Sequence, residues 1–204
     1  RRQRQMCIRD RVVEGSLKLG IKFLTLFGFS SENWKRTPTE IFDLMSLLRN
    51  YLDNEIHDLH KKNIRFKVIG DREKLDPDIV ELIEAAEELT KENCDLTLTI
   101  ALSYGGRRAI TLAAKELAYR ACKGTIKLDE ISEEAFELVL ETQGVPNPDL
   151  VIRTSGEKRI SNFLLWQMAY SELYFTDVYW PSFQKKDLLK AVRTFQDRKR
   201  RYGE

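Results

Sequence analysis

Ile21–Phe29, IKFLTLFGF, is a nearly unbroken apolar run rich in β-formers, and it stops at the polar stretch Ser30–Arg36, SSENWKR. An apolar run that does not alternate with polar residues reads as a strand buried on both faces, the pattern of a parallel sheet covered by helices. Thr37-Pro38-Thr39-Glu40 then opens a helix. Thr37 takes the N-cap, Pro38 the first helical position, and Glu40 completes a capping box. Ile41, Leu44, Met45, Leu48, Leu52, Ile56 and Leu59 carry the apolar stripe of that helix.

Outward from this unit the same alternation repeats. Strands are expected over 64–69, 96–102, 150–152 and 173–176. One helix ends at Gly20, and others open at Asp76-Pro77, at Gly105-Gly106 and behind Ser132. Further helical stretches are expected over 162–170 and 186–201. Strands alternating with helices predict a single α/β domain with a mostly parallel central sheet flanked by helices.

The bulk numbers limit what such a domain can do. Over 204 residues, 34 Lys and Arg stand against 32 Asp and Glu, a formal net charge of +2. A nucleic-acid partner is not expected, because general binders are strongly basic on one face. Cys7, Cys94 and Cys122 are odd in number and form no CxxC pair, so neither a disulfide framework nor a zinc site is expected, and a reducing cytoplasm fits. No apolar run approaches the roughly 20 residues of a spanning helix. Residues 1–11, RRQRQMCIRDR, are basic and without apolar period, and they read as a non-native leader before a domain over 12–204.

In an open α/β sheet, ligands bind beyond the carboxyl ends of the strands. Polar clusters fall there at Ser30–Arg36, Ser103–Arg108 and Arg153–Ser161. Arg153, Lys158 and Arg159 stand among Thr154, Ser155, Gly156 and Ser161. Guanidinium forks, hydroxyls and free backbone N–H groups make a phosphate nest, while the bland alternative is a solvated basic loop. Arg107 and Arg108 fall in a first helical turn, where the macrodipole disfavours cations, so a bound anion or a neighbouring carboxylate is needed there. Trp34 either presents a flat apolar face to a ligand or packs under the following helix. His57 and His60 lack a third ligand and read as helix surface.

These clusters also carry a resemblance. FSSENWKR, SYGGRR and DLVIRTSGEKRISNFLLWQMAYSELYFTDVYWPSF are similar to the signature segments of bacterial undecaprenyl diphosphate synthases, the cis-prenyltransferases. The likeness covers essentially Val12–Gly203. It implies condensation of isopentenyl diphosphate with an allylic diphosphate, typically farnesyl diphosphate, to a long polyprenyl diphosphate for a cell-wall lipid carrier. Matched by position, Arg153, Arg159 and Ser161 would hold the isopentenyl diphosphate, with Ile160 beside them. Glu172 would help bind magnesium (Mg2+). Ser30, Ser31, Glu32, Trp34 and Arg36 would line the substrate site. Asn33 matches a proposed proton acceptor, but an amide is a poor base at neutral pH and reads here as an orienting group. Phe23, Leu26, Gly28, Leu44, Leu48 and Leu52 would wall a tunnel for the tail, or would simply be core.

The resemblance also implies a homodimer packed around 172–183, transient contact with a membrane surface for product release, and a C-terminal Arg201-Tyr202-Gly203 element reaching the partner's site. The family's N-terminal strand and DGNGRWA-type aspartate loop have no counterpart in these 204 residues. The expectation is an enzyme whose polypeptide as written has little activity, with a gap in the sheet and an uncovered tunnel. The alternative is a non-catalytic partner subunit of a heteromeric cis-prenyltransferase.

Overall fold

The computed structural model describes residues 11–198. The expected leader lies outside the described residues except for Arg11, which already sits in a helix, and the Arg201-Tyr202-Gly203 element lies outside them altogether. The described part of α1 covers residues 11–18 and ends at Gly20, whose φ of +72° supplies the left-handed stop. Then follow β1 (Phe23–Phe27), α2 (Pro38–Asn54), α3 (Ile56–Lys61), β2 (Ile64–Ile69), α4 (Pro77–Thr90), β3 (Leu96–Ala101), α5 (Gly106–Cys122) and α6 (Glu133–Glu137). The chain finishes with β4 (Leu150–Arg153), β5 (Glu172–Phe175) and α7 (Lys185–Asp197).

The capping box before α2 forms as the sequence requires: Thr37 Oγ1 accepts from Glu40 N while the Glu40 carboxylate accepts from Thr37 N. All strand pairing is parallel, so helices cross between the strands and cover the sheet. Ile64, Phe66 and Val68 of β2 and Leu96, Leu98 and Ile100 of β3 point to one face, where they pack with Tyr51, Leu52, Ile79 and Ile83 of α2 and α4. Ile69 and Ala101 point to the other face, against Ala109 of α5 and Leu164 and Met168. A third cluster joins Val12 of α1 to Phe183 and Leu188.

Three features depart from the sequence expectation. The described strands form two ladders, β1-β3-β2 and β4-β5, rather than one continuous sheet. β1 is not buried on both faces: Phe23 is 43% exposed and the other residues of the strand are half-buried. Among the described residues it pairs with β3 alone, and its residues line a cavity. Residues 162–170 are turns, not a helix. Ser161, Asn162 and Leu164 have φ of 54°, 60° and 40°, values an α-helix cannot use.

Candidate active site

The carboxyl ends of β1, β3 and β4 deliver the three polar clusters. After β1 the chain turns through a short 3-10 helix, Ser31–Lys35. Asn33 Oδ1 accepts from Ser30 N at 2.9 Å, so Asn33 caps this turn. Ser30 forms a parallel bridge with Tyr104, and Ser31 N donates to the Tyr104 carbonyl at 2.9 Å. Those contacts tie the first cluster to the second. The Glu32 carboxylate accepts from Ser30 Oγ and, at 2.9 Å, from Asn162 Nδ2. The Ser30 hydroxyl, then the Asn162 amide, hold Glu32 below the usual carboxylate range.

Trp34 turns inward. Its ring meets Phe29 edge-on at 5.0 Å between centroids, and Nε1 donates to Ser103 Oγ at 2.8 Å. It packs as a staple under α2. Arg36 and Trp34 border a separate cleft of about 350 Å³ with Phe42, Met45 and Arg49.

In the second cluster, carboxylates answer the cation that opens α5. Arg108 Nη1 donates to Glu141 Oε1 at 3.2 Å, and Arg108 Nη2 lies 3.0 Å from Asp71 Oδ1 as an ion pair without hydrogen-bond geometry. Burial pushes the Glu141 carboxyl up in spite of Arg108, and burial likewise pushes up the Tyr104 phenol, whose hydroxyl has no partner. Of the two counter-charges expected there, neighbouring carboxylates are the ones present at Arg108. Gly70 is required beneath it, because at φ +121° a Cβ there would stand 1.8 Å from the Leu102 carbonyl oxygen.

The third cluster meets a cavity of about 900 Å³ between the two ladders. Arg153, Thr154, Arg159 and Ile160 line it together with apolar side chains of β1, β3 and β4. Among the described residues Arg153 Nε is buried without a partner, and Arg159 faces the Glu157 carboxylate. Ser161 is exposed beside them at a left-handed φ. Of the proposed tunnel residues, Phe23, Leu26, Gly28, Leu44 and Leu48 line the cavity. Leu52 does not; it lies in the main core, 2% exposed. Ser30, Ser31, Glu32, Asn33, Trp34 and Arg36 are not part of the lining; they follow β1, whose residues line the cavity as far as Gly28.

Glu172 sits elsewhere. It pairs with Leu150 at the start of β5, whereas Arg153 pairs with Phe175 at its end, about 10 Å further along. Leu173 and Phe175 line the cavity, so strand alternation turns Glu172 to the opposite face. There Arg198 Nη1 donates to its carboxylate at 2.5 Å. Among the described residues no three His, Cys, Asp or Glu side chains gather to hold a metal ion. A magnesium site centred on Glu172 therefore needs groups beyond these.

Sequence reasoning missed the roles of Asp71, Glu141 and Asn162. Asn162 lies inside a segment that carries the resemblance, but the composition around it predicts a helix. Its tendency, as asparagine, to adopt positive φ was the available signal.

The fold and the rim define an α/β protein that offers a basic loop at the mouth of an apolar hollow, a shape suited to a ligand with an anionic head and a hydrocarbon tail. A prenyltransferase family model, that of undecaprenyl diphosphate synthase, matches residues 5–203. The chain is 48% identical over 192 residues to an isoprenyl transferase of Geobacter sulfurreducens, covering 94% of this chain and 78% of that protein. It is 47% identical over 193 residues to a farnesyl-diphosphate-specific ditrans,polycis-undecaprenyl-diphosphate synthase of Haemophilus influenzae, covering 95% of this chain and 81% of that one. Among solved structures, lavandulyl diphosphate synthase of Lavandula x intermedia, in complex with dimethylallyl diphosphate, superposes with a TM-score of 0.95 at 34% identity, over 99% of this chain and 87% of that one. A probable undecaprenyl diphosphate synthase of Campylobacter jejuni gives 0.87 at 34% identity, over 100% and 94%. The chain belongs to the undecaprenyl diphosphate synthase family of prenyltransferases.

Proposed function

We propose that this protein condenses isopentenyl diphosphate with an allylic diphosphate of the farnesyl type to give a longer polyprenyl diphosphate, the precursor of a cell-wall lipid carrier. One observation carries the proposal. Arg153, with a buried and unpartnered Nε, and Arg159 stand where the cavity of about 900 Å³ opens. A buried donor without an acceptor is rare, and a diphosphate oxygen supplies one. The volume lies toward the top of the range of about 300–1,000 Å³ for small-ligand sites.

In this reading Arg153, Arg159 and Ser161 hold the diphosphate of isopentenyl diphosphate, and Ile160 covers its apolar end. The allylic tail lies along Phe23, Leu26, Leu44 and Leu48. The allylic C1–O bond breaks as pyrophosphate leaves, the isopentenyl double bond attacks C1, and a proton departs as a cis double bond forms. Ser30, Ser31 and Glu32 shape the rim and Asn33 orients it. Trp34 and Arg36 act indirectly, by holding the start of α2 in place. The product would leave at a membrane surface, from a homodimer in the cytoplasm; among the described residues no helix is long and apolar enough to cross a membrane.

A second reading, a non-catalytic partner subunit, is favoured by the Arg198 pair that occupies the Glu172 carboxylate. Magnesium-dependent formation of a prenyl product separates the two. The first reading itself is tested by calorimetry with isopentenyl diphosphate and with allylic diphosphates of increasing length. Affinity is expected to rise from dimethylallyl to geranyl to farnesyl diphosphate, because each added methylene buried is worth up to about 0.8 kcal/mol. Affinities independent of tail length would reject the cavity as the tail site.

A further inference from the structure

Helix α5 begins at Gly105, which has no side chain with which to cap it. The first amide groups of a helix need acceptors from somewhere. Two of them come from one distant residue: Gly106 N donates to the Asn162 carbonyl at 2.7 Å, and Arg107 N donates to Asn162 Oδ1 at 2.9 Å. The other end of the same amide donates to Glu32 Oε1 at 2.9 Å. This orientation of the amide is the one that gives an acceptor to Arg107 N and a donor to the carboxylate. Asn162 thus touches the loop after β1, the turn after β3 and the loop after β4, of which it is itself a part.

The fit around it is close. A Cβ on Gly105 would meet Ser31 Oγ at 2.6 Å and Asn162 Nδ2 at 2.9 Å, and one on Gly106 would meet Leu165 Cγ at 2.8 Å and the Asn162 carbonyl oxygen at 3.1 Å. The two glycines make room for the asparagine. Asn162 in turn holds φ at 60°, a conformation that asparagine tolerates better than most residues. Its neighbour Ser161 also has a positive φ, so the backbone path that leads from Arg159 and Ile160 in the cavity wall through Ser161 runs into this pinned residue.

We propose that Asn162 is a positioning residue: it holds the basic loop 153–161 in register with the Glu32 loop and the start of α5, and thereby sets the spacing of the diphosphate site. The proposal rests on the reading of that loop as the isopentenyl diphosphate site. It requires both halves of the amide, which a plain loop residue would not. Asn162→Asp keeps the acceptor for Arg107 N but loses the donor and sets a carboxylate against Glu32. Glu32→Gln supplies a donor from the other side, so the double variant rebuilds the link with its polarity reversed.

The experiment measures isopentenyl diphosphate affinity by calorimetry, with melting temperatures, for wild type, N162D, E32Q and the double variant N162D/E32Q, and melting alone for N162A. N162D is expected to melt within about 2 °C of wild type because the helix keeps its cap, while N162A loses about 2–4 °C. N162D should weaken binding about fivefold in the wild-type background, and most of that loss should vanish in the E32Q background. Equal losses in both backgrounds, or no loss, overturn the inference while leaving the site reading intact. N162D melting below N162A overturns it as well. A wild-type protein without affinity for the diphosphate overturns the site reading, and the inference with it.

Discussion

In the β1-β3-β2 ladder, Ile64, Leu96 and Leu98 are wholly covered, whereas every residue of β4 and β5 is half-buried or exposed. The first ladder has helices on both faces and carries most of the core. The second borders the cavity and carries Arg153. Burial that would stabilise β4 is traded for a hollow that a ligand can fill. Stability is thus concentrated in β2 and β3, whereas β1 and β4 both border the hollow, and substitutions in β3 and in β4 should report on different observables.

The sharpest test of that division is in β3. Leu98→Ala removes a side chain that no solvent reaches and is expected to cost about 3 kcal/mol, lowering Tm by about 6–12 °C with little change in diphosphate affinity of the folded protein. The reverse is expected in β4. Arg153→Ala should weaken isopentenyl diphosphate binding on the order of a hundredfold, yet leave Tm nearly unchanged because it removes a buried donor that has no partner. Thermal melts and calorimetry on both variants would break the comparison if either one changed both observables together.

Smaller effects sharpen it. Folding raises the Glu141 carboxyl above its ordinary value of 4.5, chiefly by burial. The folded state then holds its proton more tightly, so this group's contribution to stability falls as pH rises from about 4.5 through the raised value. Glu141→Gln removes that penalty, and the Tm difference between variant and wild type, followed by thermal melts across pH, should move in the variant's favour as pH rises through that window. Smallest is Arg198→Ala. The Arg198–Glu172 pair is partly exposed, and its loss should lower Tm by no more than about 2 °C.

Much of this fold was legible. The capping box at Thr37 and Glu40 and the bounds of β2 are local matters, decided by residues within a few positions. Errors arose where distant contacts decide. The stretch 162–170 has a helix-like composition, but Asn162 is committed to the start of α5 and the backbone bends away. Trp34 sits in a polar loop by sequence, yet Ser103, 69 positions later, draws its indole inward. Arg108 needed a counter-charge, and sequence could not say whether a ligand or Asp71 and Glu141 would provide it. The basic loop at 153–161 was readable as a candidate because it follows a strand; that its arginines adjoin an apolar hollow was implied only by the resemblance, because the hollow's walls come from distant parts of the chain.

β1 and β4 both border the hollow, and among the described residues each makes its ladder elsewhere, β1 with β3 and β4 with β5. Backbone ladders are stiff, since sliding or parting them breaks hydrogen bonds in series. Across this seam, among the described residues, the spacing is set by side-chain contacts, which yield gradually. Widening the hollow along this seam therefore breaks no hydrogen bond of either ladder.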